Sequence, residues 1–211
     1  MIYPDFSVVM AVYRNDSVKH FEKALESLLK QTIRPKEIIL VVDGWSDKKL
    51  ENAIGEFVQN EKVLVIRNDS NKGLAYSLNR GVAAASTDLI ARMDSDDICV
   101  PTRFEIQLSH LVENQLDCVG GQILEFGKTL NDILYRRVVP ITHDAIVKRM
   151  KVASAFNHPT VIFKREAFEK IGGYSVDIFP EDLDFFVRMS LEGYSFGNVS
   201  EMVLYFRVGQ D

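Results

Sequence analysis

Four predominantly apolar runs in the first hundred residues, at 6–12, 38–42, 63–66 and 89–93, limit what this chain can fold into. They are rich in β-branched residues, and turn formers bound them: Pro4 and Asn15-Asp16 around the first, Asp43-Gly44 after the second. They do not alternate polar with apolar, so they read as strands buried on both faces, as a parallel sheet under helices requires. Helical spacing fills the gaps. Ser17 can cap a helix carrying Phe21, Ala24, Leu25, Leu28 and Leu29, closed by Pro35. Leu50, Ile54, Phe57 and Val58 make a second, and Gly73 opens a third with Leu74, Ala75, Leu78, Val82 and Ala85. Four such alternations predict an α/β chain with a Rossmann-like, doubly wound, mostly parallel sheet and right-handed crossovers.

In such sheets ligands bind outside the carboxyl ends of the strands. Those ends carry Tyr13-Arg14-Asn15, Asp43-Gly44, Asn68-Asp69-Ser70-Asn71 and Asp94-Ser95-Asp96-Asp97, so polar and acidic residues gather along one edge. Beyond residue 100 the pattern loosens into a mixed part. Pro101 suits the start of a helix with Phe104, Gln107, Leu108 and Leu111. A strand at 118–126, a loop or hairpin at 127–140 and a helix at 142–150 follow. Then come a strand at 160–163, a short helix at 166–171 ended by Gly172-Gly173, a helix at 181–191 and a last strand at 199–208. The length of 211 residues fits one domain.

Charge and composition narrow the function. A net charge of -5 argues against a nucleic-acid binder, since phosphates reward clustered Lys and Arg. No run of basic residues stands out, which removes the simplest reason to expect a membrane-surface patch. Cys99 and Cys118 have neither metal-ligand spacing nor the density of a disulfide framework, which fits a reducing compartment. The first residues lack the basic and apolar regions of a signal peptide, and no apolar stretch approaches the ~20 residues of a membrane span. The expectation is a cytoplasmic protein.

Asp94-Ser95-Asp96-Asp97 carries the strongest chemical signal. Three carboxylates in four residues repel one another at the end of a buried strand, and a hard divalent cation relieves that cost. A helix-capping cluster before Pro101 is the plain alternative. Asp43-Gly44 is either a turn or a partner for a base or ribose, and Tyr13 is either a half-buried structural side chain or a platform for a base. Lys72, in Asn71-Lys72-Gly73, can meet a phosphate, or the segment is only a helix cap; Asn79 lies two turns on. Arg92 can simply pair with the acidic turn. Glu181-Asp182 is either helix N-terminal charge or a site for a general base. His158, before Pro159, reads as a satisfied structural histidine rather than a ligand.

Together these segments resemble the GT-A fold glycosyltransferases, specifically the inverting enzymes of family two. Residues 7–15 are similar to the family's opening strand and nucleotide loop, and Glu37 through Gly44 to its second strand. Asn71-Lys72-Gly73-Leu74-Ala75 with Asn79-Arg80-Gly81 resembles its third helix, Asp94-Ser95-Asp96-Asp97 its metal motif, and Pro180-Glu181-Asp182 with Arg188 the region holding its base. The wording around Ala91–98 and His158-Pro159-Thr160-Val161 resembles enzymes of bacterial exopolysaccharide, capsule and lipopolysaccharide assembly, the amylovoran-biosynthesis type among them.

The resemblance implies a nucleotide-sugar half over 1–98 and an acceptor and base half over 99–211 of the same domain. It implies a UDP-sugar held by Ala11, Tyr13, Asp43, Lys72, Asn79 and Asp94, with Mn²⁺ or Mg²⁺ on Asp94 and Asp96. Asp182 would be the catalytic base and Glu181 its orienting neighbour. The acceptor would be an oligosaccharide or lipid-linked glycan, met in peripheral contact with the inner membrane face. Val42 departs from the family, which commonly has two consecutive aspartates there, the first on the uracil. Arg207 is the one candidate for the cation that the family often carries late in the chain. A pyrophosphorylase would need a Gly-rich loop after the first strand, and Val12-Tyr13-Arg14-Asn15-Asp16 has no glycine. An Asp-rich phosphatase would need an acidic nucleophile there. A silent nucleotide-sugar-binding module is the non-enzymatic rival.

Overall fold

The computed structural model describes residues 3–60 and 62–209. Strand β1 (Phe6–Val12) pairs in parallel with β2 (Glu37–Val42) on one side and β4 (Leu89–Asp94) on the other, while β3 (Val63–Arg67) extends β2. Helices α1 (Val18–Leu29), α2 (Lys48–Asn60) and α3 (Leu74–Ala83) make the crossovers between them. Side chains on β1 alternate between the two faces. Val8, Met10 and Val12 pack with Phe21, Leu25 and Leu28 of α1, whereas Val9 packs with Leu78 and Val82 of α3. Both faces of the strand are therefore covered, which is why its sequence shows no polar alternation. At the edge, β3 is only half-buried and Leu64 is exposed, because no further strand covers it.

The second half completes one sheet. Its order is β3-β2-β1-β4-β8-β6-β9-β5, with β7 beside β6. Here β5 is Ile98–Cys99, β6 Cys118–Phe126, β7 Ile133–Arg137, β8 Ile162–Lys164 and β9 Phe196–Arg207. Strand β8 runs antiparallel between β4 and β6, so β6 and its parallel partner β9 again point the same way as β4. The remaining helices are α4 (Arg103–Glu113), α5 (His143–Met150), α6 (Arg165–Lys170) and α7 (Glu181–Leu191). Among the described residues, no helix is long and apolar enough to cross a membrane.

Several boundaries differ from the sequence expectation. Helix α4 begins at Arg103, two residues past Pro101, with Thr102 in the cap position. Ser17 occupies the cap of α1 but makes no side-chain cap bond. The 127–140 segment is a hairpin, β9 begins three residues earlier than expected, and residues His158–Thr160 form a short 3₁₀ turn ahead of β8. Strand β5 was not foreseen, and a division between residues 98 and 99 falls inside it.

Candidate active site

The carboxyl ends of β1, β2 and β4 surround a cleft of about 320 Å³. Ala11 and Tyr13 line it from β1, Asp43 from β2, Asn71 and Gly73 from the turn before α3, and Asp94 and Asp96 from the acidic turn. Asp16 and Ser95 line it too. Five of the residues implicated by the sequence (Ala11, Tyr13, Asp43, Asp94 and Asp96) thus meet in one cavity. The same local chemistry builds it at each strand end: the apolar run stops, and polar residues take over where the sheet meets solvent.

Asp43 organises the turn before α3. Its Oδ1 accepts from Asn68 Nδ2 at 2.7 Å and from the Lys72 backbone N–H at 2.8 Å, and its Oδ2 accepts from the Gly73 N–H at 2.8 Å. A carboxylate at the N-terminus of α3 satisfies donors that the helix leaves free. Gly44 follows with φ +88, and a Cβ there would lie 2.7 Å from the Asn71 backbone nitrogen, so this turn requires glycine. Lys72 contributes that backbone bond, while its exposed side chain is not among the cleft's walls. Asn79 also stands apart. Its amide donates to the Tyr174 carbonyl and accepts from the Tyr174 N–H, both at 2.8 Å, and so fastens α3 to the segment leading to α7.

The acidic turn is held from three directions. Arg92, buried, grips Asp94 with both guanidinium nitrogens at 2.5 and 2.8 Å. Arg207 donates its backbone N–H to Asp97 Oδ1 and its Nε–H to the Asp96 carbonyl, and its guanidinium lies 4.5 Å over the Phe126 ring. Asp16 Oδ2 accepts from Ser95 Oγ at 2.7 Å and from the Tyr13 N–H at 3.0 Å, tying the first loop to the acidic turn. Sequence reading missed Asp16 as a site residue, because its partner lies 79 positions away. It also missed Arg103, fully buried behind the turn, which donates to the Arg92 carbonyl at 2.8 Å and to Gln107 at 3.0 Å.

This crowding sets the electrostatics. Burial, then the charges of Asp94 and Asp16, push the Asp96 carboxyl up to about 6. Asp16 is also raised, mainly by burial, and Asp97 is pushed well above the usual carboxylate range by burial and its two acidic neighbours. Asp97 Oδ2 is buried with no hydrogen-bond partner. A hard cation beside Asp96 fits that charge pattern. Among the described residues, no three acidic, histidine or cysteine groups stand arranged to hold a metal, and Arg92 already occupies Asp94. A cation here would take Asp96 as its protein ligand, with Asp94 alongside, in the manner of Mg²⁺ sites that use one or two carboxylates and complete themselves with substrate phosphates.

Glu181 and Asp182 stand in the first turn of α7, both half-buried. Ser154 Oγ lies 3.4 Å from Asp182 Oδ2. Arg188, one of the resemblance residues, pairs with Asp184 at 2.7 Å and donates to the carbonyls of Ile171 and Gly173, so it pins the Gly172-Gly173 turn to α7. His158 is buried with Nε2 2.9 Å from the Tyr174 hydroxyl, and burial drives its pKa well below the ordinary value. That pair sits between the two acidic sites: Tyr174 feels Arg92 as well as Asp182 and Glu181. Cys99 and Cys118 are buried free thiols.

Comparison with known proteins adds the family and the fold class. Residues 7–172 match Glycosyl transferase family 2. An uncharacterized glycosyltransferase of Haemophilus influenzae is 36% identical over 97% of this chain and 76% of its own length. The amylovoran biosynthesis glycosyltransferase AmsE of Erwinia amylovora is 29% identical over 98% of this chain and 77% of its length. The Escherichia coli UDP-Gal:alpha-D-GlcNAc-diphosphoundecaprenol beta-1,3-galactosyltransferase is 31% identical over 99% and 76%. Among solved structures, S. aureus TarS 1-349 in complex with UDP superposes with a TM-score of 0.76 at 20% identity, over 97% of this chain and 61% of that one, which places the fold in the GT-A class. With the cleft at the strand ends and the family match spanning most of its length, the chain belongs to family 2 of the glycosyltransferases.

Proposed function

We propose that this chain moves a sugar from a nucleotide-diphosphate donor, a UDP-sugar, to a hydroxyl of a glycan acceptor, with inversion at the anomeric carbon, in polysaccharide assembly. The observation that carries this reading is the convergence of Asp16, Asp94 and Asp96 in one cleft at the ends of β1 and β4. A relative whose name specifies UDP-Gal and a diphosphoundecaprenol acceptor supports both a UDP-sugar donor and a lipid-linked glycan acceptor. The TarS structure with UDP supports uridine for this fold.

Residues 1–98 serve the donor. The Asp43-organised turn presents Asn71 and Gly73 to the cleft, and Tyr13 and Ala11 form its opposite wall. With Val42 in place of an acid and Asp43 engaged by Asn68, Lys72 and Gly73, base recognition falls to the remaining lone pairs of Asp43 and to backbone groups. Asp94, fixed by Arg92, would meet the ribose or share the metal, and Asp96 would hold the metal. Mn²⁺ or Mg²⁺ bound at Asp96 supplies charge neutralisation for the departing diphosphate. Residues 99–211 serve the acceptor. Asp182 takes the hydroxyl proton as that oxygen attacks from the face opposite the leaving group, and Glu181 orients the acceptor. A single displacement calls for no covalent enzyme intermediate, and neither buried cysteine is placed to form one.

The test is calorimetric titration of UDP and GDP with Mn²⁺ or with EDTA, followed by donor turnover. UDP binding that requires Mn²⁺ and disappears in Asp96→Ala is the expected result. Asp182→Asn should keep that binding and lose about 10²–10⁴-fold in transfer rate. Binding without any transfer or donor hydrolysis in the parent chain would leave only a nucleotide-sugar-binding module, and no binding of either nucleotide would remove the donor-site reading.

A further inference from the structure

We infer that Asn79 is a positioning residue for the transfer step. Through the backbone of Tyr174 it sets the helix that carries Asp182 against the helix that borders the cleft. The inference rests on the transferase reading, because Asp182 acts as a base only under it.

Helix α3 does two things along its length. Gly73 at its cap, Leu74 and Ser77 border the cleft. Asn79, two residues past Ser77, is not among the cleft's walls, and it holds a residue 95 positions away. Its Nδ2 donates to the Tyr174 carbonyl at 2.8 Å, and its Oδ1 accepts from the Tyr174 N–H at 2.8 Å. One planar amide thus takes both backbone groups of a single residue, which fixes that residue in orientation as well as in place. Tyr174 is buried, so loss of Asn79 would strip two backbone bonds from a residue that water does not reach.

The turn is shaped to receive this clasp. Gly172 and Gly173 have φ of +81 and +74, and a Cβ at Gly173 would lie 2.7 Å from Asn79 Oδ1. From this turn the hold passes to α7 by three contacts. The Tyr174 ring stacks on Phe185 with centroids 4.4 Å apart. Arg188 donates to the Gly173 carbonyl at 2.6 Å, and Ser175 Oγ to Asp184 Oδ2 at 2.7 Å. Asp184 and Phe185 share a helical turn with Asp182. Residues 176–180, which join Ser175 to α7, are exposed, so that loop is not what locates the helix. Packing of Phe186 on Phe156 holds α7 in the core, while the clasp fixes its first turn relative to α3. A general base must meet its hydroxyl within hydrogen-bond reach, and a misplacement of about 1 Å can cost about 100-fold in rate.

The experiment compares the whole chain with Asn79→Ala by amide hydrogen exchange, by calorimetric titration of UDP with Mn²⁺, and by turnover of UDP-galactose, whether transferred or hydrolysed. Exchange over residues 174–189 should rise about tenfold or more, while exchange over β1 and β4 stays as in the parent. UDP should bind within about twofold of the parent and the KM for UDP-galactose should hold, while kcat falls about 10- to 100-fold. Asn79→Asp is the milder variant should the alanine fail to fold. It keeps an acceptor for the Tyr174 N–H and loses the donor, so the same split is expected at smaller size. Thr87→Val breaks the buried Ser7–Thr87 hydrogen bond at the amino ends of β1 and β4, and should lower stability with kcat and KM unchanged. A clear loss of UDP affinity in Asn79→Ala would return the residue to the nucleotide site and overturn the proposal. Unchanged exchange over α7, unchanged kcat, or an equal fall of kcat in Thr87→Val would overturn it too. Absence of turnover in the parent counts instead against the transferase reading, and exchange and titration still judge the clasp.

Discussion

His158 shows how much a single buried group can report. Its Nε2 lies 2.9 Å from the Tyr174 hydroxyl, and burial, with Arg92 nearby, depresses its pKa well below 6.5. Above that value folded and unfolded chains both hold a neutral imidazole, and the group adds no pH dependence. As pH falls through about 6.5 the unfolded chain takes up a proton that the folded chain refuses, so stability drops by up to about 1.4 kcal/mol per pH unit. The raised carboxyls of Asp96 and Asp97 pull the other way over the same range, so the readout is the difference between variants. In urea unfolding at pH 8, 6.5 and 5, His158→Asn should start less stable than the parent and lose less relative to it as pH falls. Parallel slopes would mean that the ring titrates normally within the fold. The residue's structural nature was legible from His158-Pro159, whereas the Tyr174 partner was not. The same holds for the acidic turn. Its charge density was plain in the sequence, and the family resemblance pointed to Arg207 as its late cation, but the grip of Asp16 on Ser95 joins positions 79 apart, which no local spacing encodes.

At the level of elements, α3 rests directly on β1 and β2 because Gly81 lets it. A Cβ at Gly81 would lie 2.4 Å from Val9 Cγ1 and 3.2 Å from Val41 Cγ2, both on buried, β-branched side chains with little rotamer freedom. Gly81→Ala should therefore destabilise the chain by about 1–3 kcal/mol despite the better helix propensity of alanine. Gly55 on α2 is the natural contrast, with nothing within 4 Å of its added Cβ. Gly55→Ala should stabilise by about 0.5–1 kcal/mol, and the urea midpoints of the two variants should move in opposite directions. A shift in the same direction would sink this account of the packing. The first strands and helices were readable because each buries a continuous or periodic apolar set. The two-residue β5 was not, since it is held by pairing with β9 rather than by any pattern of its own.

For the whole molecule, one sheet ties the first half of the chain to the second. Strand β8 pairs with β4 across the middle, β5 pairs with β9 at the far edge, and Arg207 at the end of β9 reaches back to Asp96 and Asp97. This strand order was not legible, because insertion of β8 between β4 and β6 depends on long-range pairing that leaves no periodic trace. Its consequence is cooperativity. A sheet shared by both halves leaves no boundary at which one could melt while the other stays folded, so thermal unfolding should be a single transition with matching calorimetric and van't Hoff enthalpies. Ligand linkage then applies to the entire chain. On the proposed function UDP with Mn²⁺ binds only the assembled cleft, and at a hundredfold excess over its dissociation constant it should add about 2.7 kcal/mol. The one transition should move up as a unit in the parent chain and stay in place for Asp96→Ala. Two transitions, with only the earlier half of the chain responding to UDP, would show that the halves fold separately and that the shared sheet does not couple them.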